Sequence, residues 1–514
     1  MRAGIPNIAR WMAAILALLV LTRMLGLGAL PLMDTTEARY AEIARKMAQL
    51  GDWVTPWYDT GVPYWGKPAL SFWLTAMSFK TFGVSEFAAR LPHFLCALLV
   101  AWLVWRLGVR RSRREAGLAV TLLAGSALFF VAAGAVMTDG ALVVGTTLAM
   151  YGFWRGVWNH DAPGHPERWL LFVGIAIALL AKGPVALVLI GAPLLVWTLA
   201  CRETRAVRRA LPWFAGLAGV AVLVMPWYVL AEIRTPGFLN YFLVGEHWRR
   251  FVNPGWAGDL YGHAHQVPPG TIWLFAVVAL LPWSVLLPAA AVCWRIRGPA
   301  FDSSAADDRP WRLYLLLWVI TPLLLFTPAR NIIWTYVLPA LPAVALLAGQ
   351  WLARHPGPGR VEAWLSVGLV IALLGALGFG MHLERSGHAD VRSAKALVAA
   401  HERHRADGQS LVFVGARPYS AAFYSRGTAR RVRDLGELQD ALSKGASYVA
   451  IRAEDAGRLR AMTGFHTVSI GRYGDYELLW VASTPAAQSS IAAARDVVAR
   501  DGLARLGREH GCRV

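Results

Sequence analysis

The feature that most constrains this chain is a succession of long apolar runs separated by short basic loops. Such runs lie near residues 11 to 30, 88 to 107, 116 to 134, 140 to 158, 168 to 181, 183 to 200, 211 to 230, 270 to 292, 311 to 327, 332 to 352 and 361 to 382. Each approaches the ~20 residues that an α-helix needs to cross the hydrocarbon core of a bilayer. Backbone N–H and C=O groups cannot stay unpaired in lipid, so the runs must be helices. Composition agrees, with 56% hydrophobic and only 16% charged residues, against roughly a quarter charged in ordinary soluble domains. That excludes a soluble enzyme. The 24 Trp, 20 Phe and 14 Tyr exclude a disordered chain as well.

Charge placement sets the expected topology. The chain carries 51 Lys plus Arg against 32 Asp plus Glu, and most of the excess falls in short loops, which marks cytoplasmic loops and lipid contact rather than a nucleic-acid surface. Arg106, Arg110, Arg111, Arg113 and Arg114 share a side with Arg202, Arg205, Arg208 and Arg209 if the N-terminus is cytoplasmic. Arg295, Arg297 and the loop Arg354 to Arg360 then fall on that side too. Residues 31–87, 232–268 and those after about 384 are left outside, with the short apolar stretch 69–82 lying on or dipping into the outer face rather than crossing. The first run is too long for a signal-peptide core and lacks a small-residue cleavage site before Asp34, so it is expected to be a retained span. Cys96, Cys201, Cys293 and Cys512 show neither a disulfide framework nor zinc spacing.

The expected architecture is therefore mainly α, with about 11 to 13 transmembrane helices over residues 1–385 and a first outer loop at 31–87. After Arg385 the pattern changes. Short β-like runs at Leu411 to Val414 and Tyr448 to Ile451, and a hairpin from His466 to Trp480 turning at Tyr473-Gly474-Asp475, predict a small extracytoplasmic α/β domain at 386–483, followed by an Ala/Arg-rich tail, 484–514.

Polar chemistry collects on the outer face. The segment from Met33 to Leu50 predicts an amphipathic helix at the membrane surface. Asp34 and Glu37 at its start fit a capping box, with Asp34 as N-cap and Glu37 at N3, or alternatively an acidic centre. Lys67, Lys182 and Arg330 each stand just before a predicted helix, where the macrodipole disfavours a cation unless an anion completes the site. On that reading, removing Lys67 should leave the ligand-free protein as stable as before. Thr138-Asp139 either caps the fourth span or places a carboxylate at the mouth of the same cavity. Glu246, His247 and Arg250 lie in a further outer loop, in which His263 and His265 read as solvated histidines rather than metal ligands.

Several segments together resemble the bacterial lipid A aminoarabinose transferases and, more broadly, the protein O-mannosyltransferase superfamily of GT-C membrane glycosyltransferases. They are Asp34 to Arg45 with Glu37, Arg39, Tyr40 and Glu42, then Gly51-Asp52-Trp53, Gly66-Lys67-Pro68, Glu86 to Arg90, and Tyr336 to Pro339. The resemblance implies a GT-C fold and transfer of one sugar, with inversion, from a polyprenyl (undecaprenyl) phosphate carrier to an extracytoplasmic lipid or glycan acceptor such as lipid A. It places the protein in the bacterial inner membrane, with its site and C-terminal domain facing the periplasm. Carried over by position, Lys67, Arg250 and Tyr336 contact the carrier phosphate, with Lys182 and Arg330 as further cations. Glu37, Asp139 or Asp34 serves the acceptor, with Arg39, Tyr40, Glu246 and His247 as neighbouring candidates. Two departures stand out: Thr36 precedes Glu37 where the family has an acidic residue, and Gly66 replaces a glutamate before Lys67. No tightly bound cofactor is expected, and the loss of that glutamate weakens the case for a divalent cation. The rival activities are protein O-glycosylation and, from another class, lipid transport, which the lack of an internal repeat disfavours.

Overall fold

The computed structural model describes residues 5–158, 165–253, 256–262, 265–295, 309–354, 359–406, 409–442 and 447–483. The expected tail 484–514, His263 and Arg297 lie outside them. Every one of the apolar runs is helical. Six of the described helices are long and apolar enough to cross a membrane: Ile8–Leu25 within the first helix, Glu86–Gly108, Trp213–Arg234, Arg309–Phe326, Trp334–Ala353 and Arg360–Arg385. Thr271–Ala279 and Trp283–Cys293 qualify as a pair bent by 79°, with Pro282 in the break. The protein is a multi-pass membrane protein. Between these helices lie Asp139–Trp158, Leu170–Lys182 and Val185–Ala200.

Small residues let the helices approach closely, as expected where lipid gives little hydrophobic drive between them. Asp139–Trp158 and Leu170–Lys182 meet at Gly145 and Gly174. A Cβ on Gly145 would sit 2.6 Å from the Ala178 nitrogen, and one on Gly174 would sit 2.4 Å from the Ala149 nitrogen. On Trp213–Arg234 the apolar Phe214, Val222 and Ile233 are exposed.

The chain divides into two compact units. One comprises Met1–Ala29 and Ile43–Gly378, the other Leu30–Glu42 together with Phe379–Val514. The second unit holds a five-stranded mixed sheet. Leu411–Val414 pairs in parallel with both Arg430–Val432 and Ser447–Arg452, which pairs antiparallel with Tyr476–Ser483, and Phe465–Tyr473 completes the edge. The hairpin turns at Gly474, whose φ of 57° suits a tight turn. The strand Arg430–Val432 escaped the sequence reading because its side chains are mostly exposed and it is only three residues long.

The helix after the first span runs from Thr36 to Leu50. Its charged residues Glu42 and Arg45 are buried along with the apolar Ile43 and Met47. Its polar side chains are held by protein partners: Arg45 reaches Gln49 at 2.6 Å, and Lys46 reaches the Tyr58 carbonyl at 2.9 Å. The Gly51-Asp52-Trp53 motif is a folding device. Asp52 accepts hydrogen bonds from the backbone of Val54 and Thr55 and from the Trp57 indole, and pairs with Arg234.

Candidate active site

Two ion-paired clusters in the larger unit gather most of the residues singled out in the sequence. Lys67, three residues before the helix Leu70–Phe82, places its Nζ 3.0 Å from Glu246 Oε2. Glu246 projects from Asn240–Arg249, a π-wound helix, a geometry that often marks functional sites. Arg250, one turn on, meets both carboxylate oxygens at 2.8 and 3.0 Å, and its other amino group lies 3.4 Å from Asp259 Oδ2. The Tyr241 hydroxyl completes the ring 3.4 Å from Glu246 Oε1.

The Glu246 side chain is only 5% exposed. Burial alone would push its carboxyl towards the neutral form. The neighbouring Lys67 and Arg250 outweigh that and hold it below the ordinary value. Burial likewise disfavours charge on Arg250, but Glu246, Asp259 and Tyr336 hold it cationic.

In the second cluster Lys182 Nζ lies 2.5 Å from Asp139 Oδ1 and 4.6 Å from the centre of the Tyr336 ring. His247 joins the two. Its Nδ1 faces the Phe242 carbonyl at 2.8 Å, and its Nε2 faces the Lys182 carbonyl at 3.2 Å. Burial, followed by the charge of Lys67, keeps the imidazole below its usual pKa. A neutral ring donates to only one of those carbonyls at a time. The three cations Lys67, Arg250 and Lys182 thus face the three carboxylates Glu246, Asp259 and Asp139, and the ensemble is formally neutral.

This arrangement corrects the helix-terminus reading. Lys182 is the last residue of Leu170–Lys182, the end at which the macrodipole favours a cation. Lys67 does stand before a helix, but its charge is met by Glu246, so its removal is not free. Arg330 is exposed and precedes a 3-10 turn, Trp334–Ala340, rather than an α-helix; its backbone carbonyl accepts from Val267. Sequence reasoning missed Asp259 and Tyr241, whose only signal was a polar and an aromatic residue between two apolar runs.

Gly183 makes the link between clusters fit. Its φ is +84°, and a Cβ there would stand 2.5 Å from the Phe242 ring and 3.2 Å from His247. Gly183→Ala is therefore expected to cost about 1 to 3 kcal/mol from backbone strain alone, read as a lower melting temperature in detergent.

The other acidic candidates belong to the second unit. Asp34 does not cap the helix that begins at Thr36. Its carboxylate accepts from the Ser420 backbone N–H at 3.1 Å and from the Ser420 hydroxyl, while its own N–H donates to the Arg392 carbonyl at 2.8 Å. Burial raises its pKa against the opposing pull of Ser420 and Arg392. With a raised folded value, Asp34 contributes stability that is present below its ordinary 3.8 and lost as pH rises through the folded pKa. Asp34→Asn should accordingly change stability little. Asp34→Ala, which strips the Ser420 N–H of its acceptor, should cost about 1 to 3 kcal/mol in denaturant unfolding. Glu37 is half-buried in the first turn of its helix, and the Arg39 guanidinium lies over the rings of Tyr40 and Tyr419 at 5.3 and 5.7 Å.

Residues 10–242 match the dolichyl-phosphate-mannose-protein mannosyltransferase family. The chain is 30% identical over 381 residues to the undecaprenyl phosphate-alpha-4-amino-4-deoxy-L-arabinose arabinosyl transferase of Edwardsiella ictaluri (strain 93-146). That alignment covers 72% of this chain and 64% of the relative. The same-named enzyme of Yersinia pestis (strain Pestoides F) is 31% identical over 71% of the chain and 63% of its own length. The chain thus spans just under two thirds of these curated relatives. In fold, it superposes on ArnT from Cupriavidus metallidurans bound to undecaprenyl phosphate with a TM-score of 0.75 at 20% identity, covering 91% of this chain and 98% of that one. The apo form of the same protein gives 0.73. The chain shares the fold of that protein, in keeping with the GT-C fold expected from the sequence.

Proposed function

We propose that this protein is a glycosyltransferase of the bacterial inner membrane, working at the periplasmic face, that moves one sugar from undecaprenyl phosphate to lipid A or a related glycolipid. The observation that carries the reading is the Lys67–Glu246–Arg250 cluster beside Tyr336, on a fold shared with a protein crystallised with undecaprenyl phosphate. The acceptor oxygen attacks the anomeric carbon, and the C1–O bond to phosphate breaks with its electron pair leaving on the carrier. No acid is needed for such a leaving group. Fixed cations stabilise the growing negative charge, a task that suits Lys67 and Arg250, with Tyr336 as a hydroxyl donor. Asp139, oriented by Lys182, is the carboxylate that positions the acceptor or takes its proton.

The family's description favours a second reading, in which the acceptor is a protein hydroxyl. One experiment separates them: mass spectrometry of lipid A and of membrane and secreted proteins from cells with and without the gene. A sugar-sized mass difference on lipid A supports the first reading, and one confined to peptides replaces it. A reporter fused after Ser483 should be active only if exported. Cytoplasmic activity would overturn the periplasmic placement.

A further inference from the structure

A phosphate-binding site should offer spare positive charge, yet Lys67, Arg250 and Lys182 each already hold a carboxylate among the described residues. Lys67 and Arg250 converge on the two oxygens of one buried group, Glu246, within hydrogen-bond distance. Two cations chelating two coplanar oxygens is the arrangement that a phosphate's oxygens require, and a carboxylate mimics it at lower charge. Glu246 is carried on the π-wound helix, which also bears the exposed Leu243, Val244 and Trp248, so this helix is not locked into the core on all sides.

Resting on the phosphate-site reading above, we propose that Glu246 is an internal stand-in for the carrier phosphate, displaced when the donor binds and returning to expel the product. The two carrier species differ in charge. The sugar-loaded carrier is a phosphodiester with one negative charge. The product is a monoester that takes up a second negative charge as the C1–O bond breaks. The product is therefore held more tightly by Lys67 and Arg250 than the donor was, and an enzyme with bare cations would stall on it. Glu246, covalently fixed at high local concentration, competes for the same two cations and restores release. It acts through them, as a positioning residue, and touches no reacting atom.

The test uses the full-length protein in detergent with undecaprenyl phosphate as probe. Glu246→Gln keeps the shape of the side chain but removes the competing charge. Its affinity for undecaprenyl phosphate is expected to rise by about tenfold or more, the change that 1.4 kcal/mol produces. Multiple turnover should slow while the first turnover stays fast, giving a burst of product equal to the enzyme present. Lys67→Met combined with Glu246→Gln should lose most of the gain in affinity. Glu246→Asp, which keeps the charge on a shorter stem and is the fallback should the Gln variant fold poorly, should show a smaller gain. Unchanged or weakened carrier binding in a folded Glu246→Gln or Glu246→Asp protein would overturn the proposal and leave Glu246 as a structural counter-ion. If the unmodified protein does not bind undecaprenyl phosphate at all, the phosphate-site reading itself fails, an outcome distinct from the first.

Discussion

Lys67→Met is expected to damage the protein twice, once without ligand and once with it. In the ligand-free protein the substitution strips Glu246 of one of its two cationic partners, leaving it to Arg250. Breaking a fully buried pair costs roughly 3 to 5 kcal/mol. The Lys67 side chain keeps some exposure and Arg250 remains, so a loss of about 2 to 3 kcal/mol is expected. With undecaprenyl phosphate added, the missing charge-assisted contact should lower affinity by roughly one to two decades. The measurement is a pair of thermal scans, with and without the lipid. A variant that melts lower but still gains the full stabilisation from the lipid would remove Lys67 from the phosphate site and leave it a purely structural role.

Asp139→Asn should have the larger effect on turnover. The carboxylate sits 2.5 Å from Lys182 Nζ at the first residue of its helix, and the amide cannot take a proton or balance that charge. A loss of about 10²- to 10⁴-fold in the rate of sugar transfer is expected, the range for a positioned acid or base. Binding of undecaprenyl phosphate should survive, because Lys67, Arg250 and Tyr336 are untouched. Glu37→Gln, measured alongside, decides between the two carboxylates: if it abolishes transfer in well-inserted protein while Asp139→Asn does not, the acceptor is served by Glu37.

Much of the membrane architecture was legible in the sequence because it rests on local rules. Hydropathy over some twenty residues marks a helix wherever lipid leaves the backbone no other partner, and each apolar run is indeed helical. The same holds for the hairpin Phe465–Tyr473 and Tyr476–Ser483, whose alternation and Tyr-Gly-Asp turn are contiguous in the chain. Where local rules were pressed into service for electrostatics they misled. The Lys182-Gly183-Pro184 pattern reads as the start of the following helix, whereas Gly183, at φ +84°, ends the preceding one behind Lys182.

Hydropathy and charge placement in the chain were enough to make it a multi-span helical protein and to say where its helices fall. The partners of its charged side chains came from the packing. Lys67 and Glu246 are 179 positions apart, and Asp34 and Ser420 are 386 apart. No periodicity or capping rule reaches across such distances. Whether a buried carboxylate meets a lysine, a serine or water depends on which helices pack side by side, and that is settled by close approach at positions such as Gly145 and Gly174. Burial then raises the cost of any unpaired charge, and Lys67, Arg250 and Lys182 each meet a counter-ion. The local sequence around Lys67 records a cation before a helix; the fold alone supplies the anion opposite it.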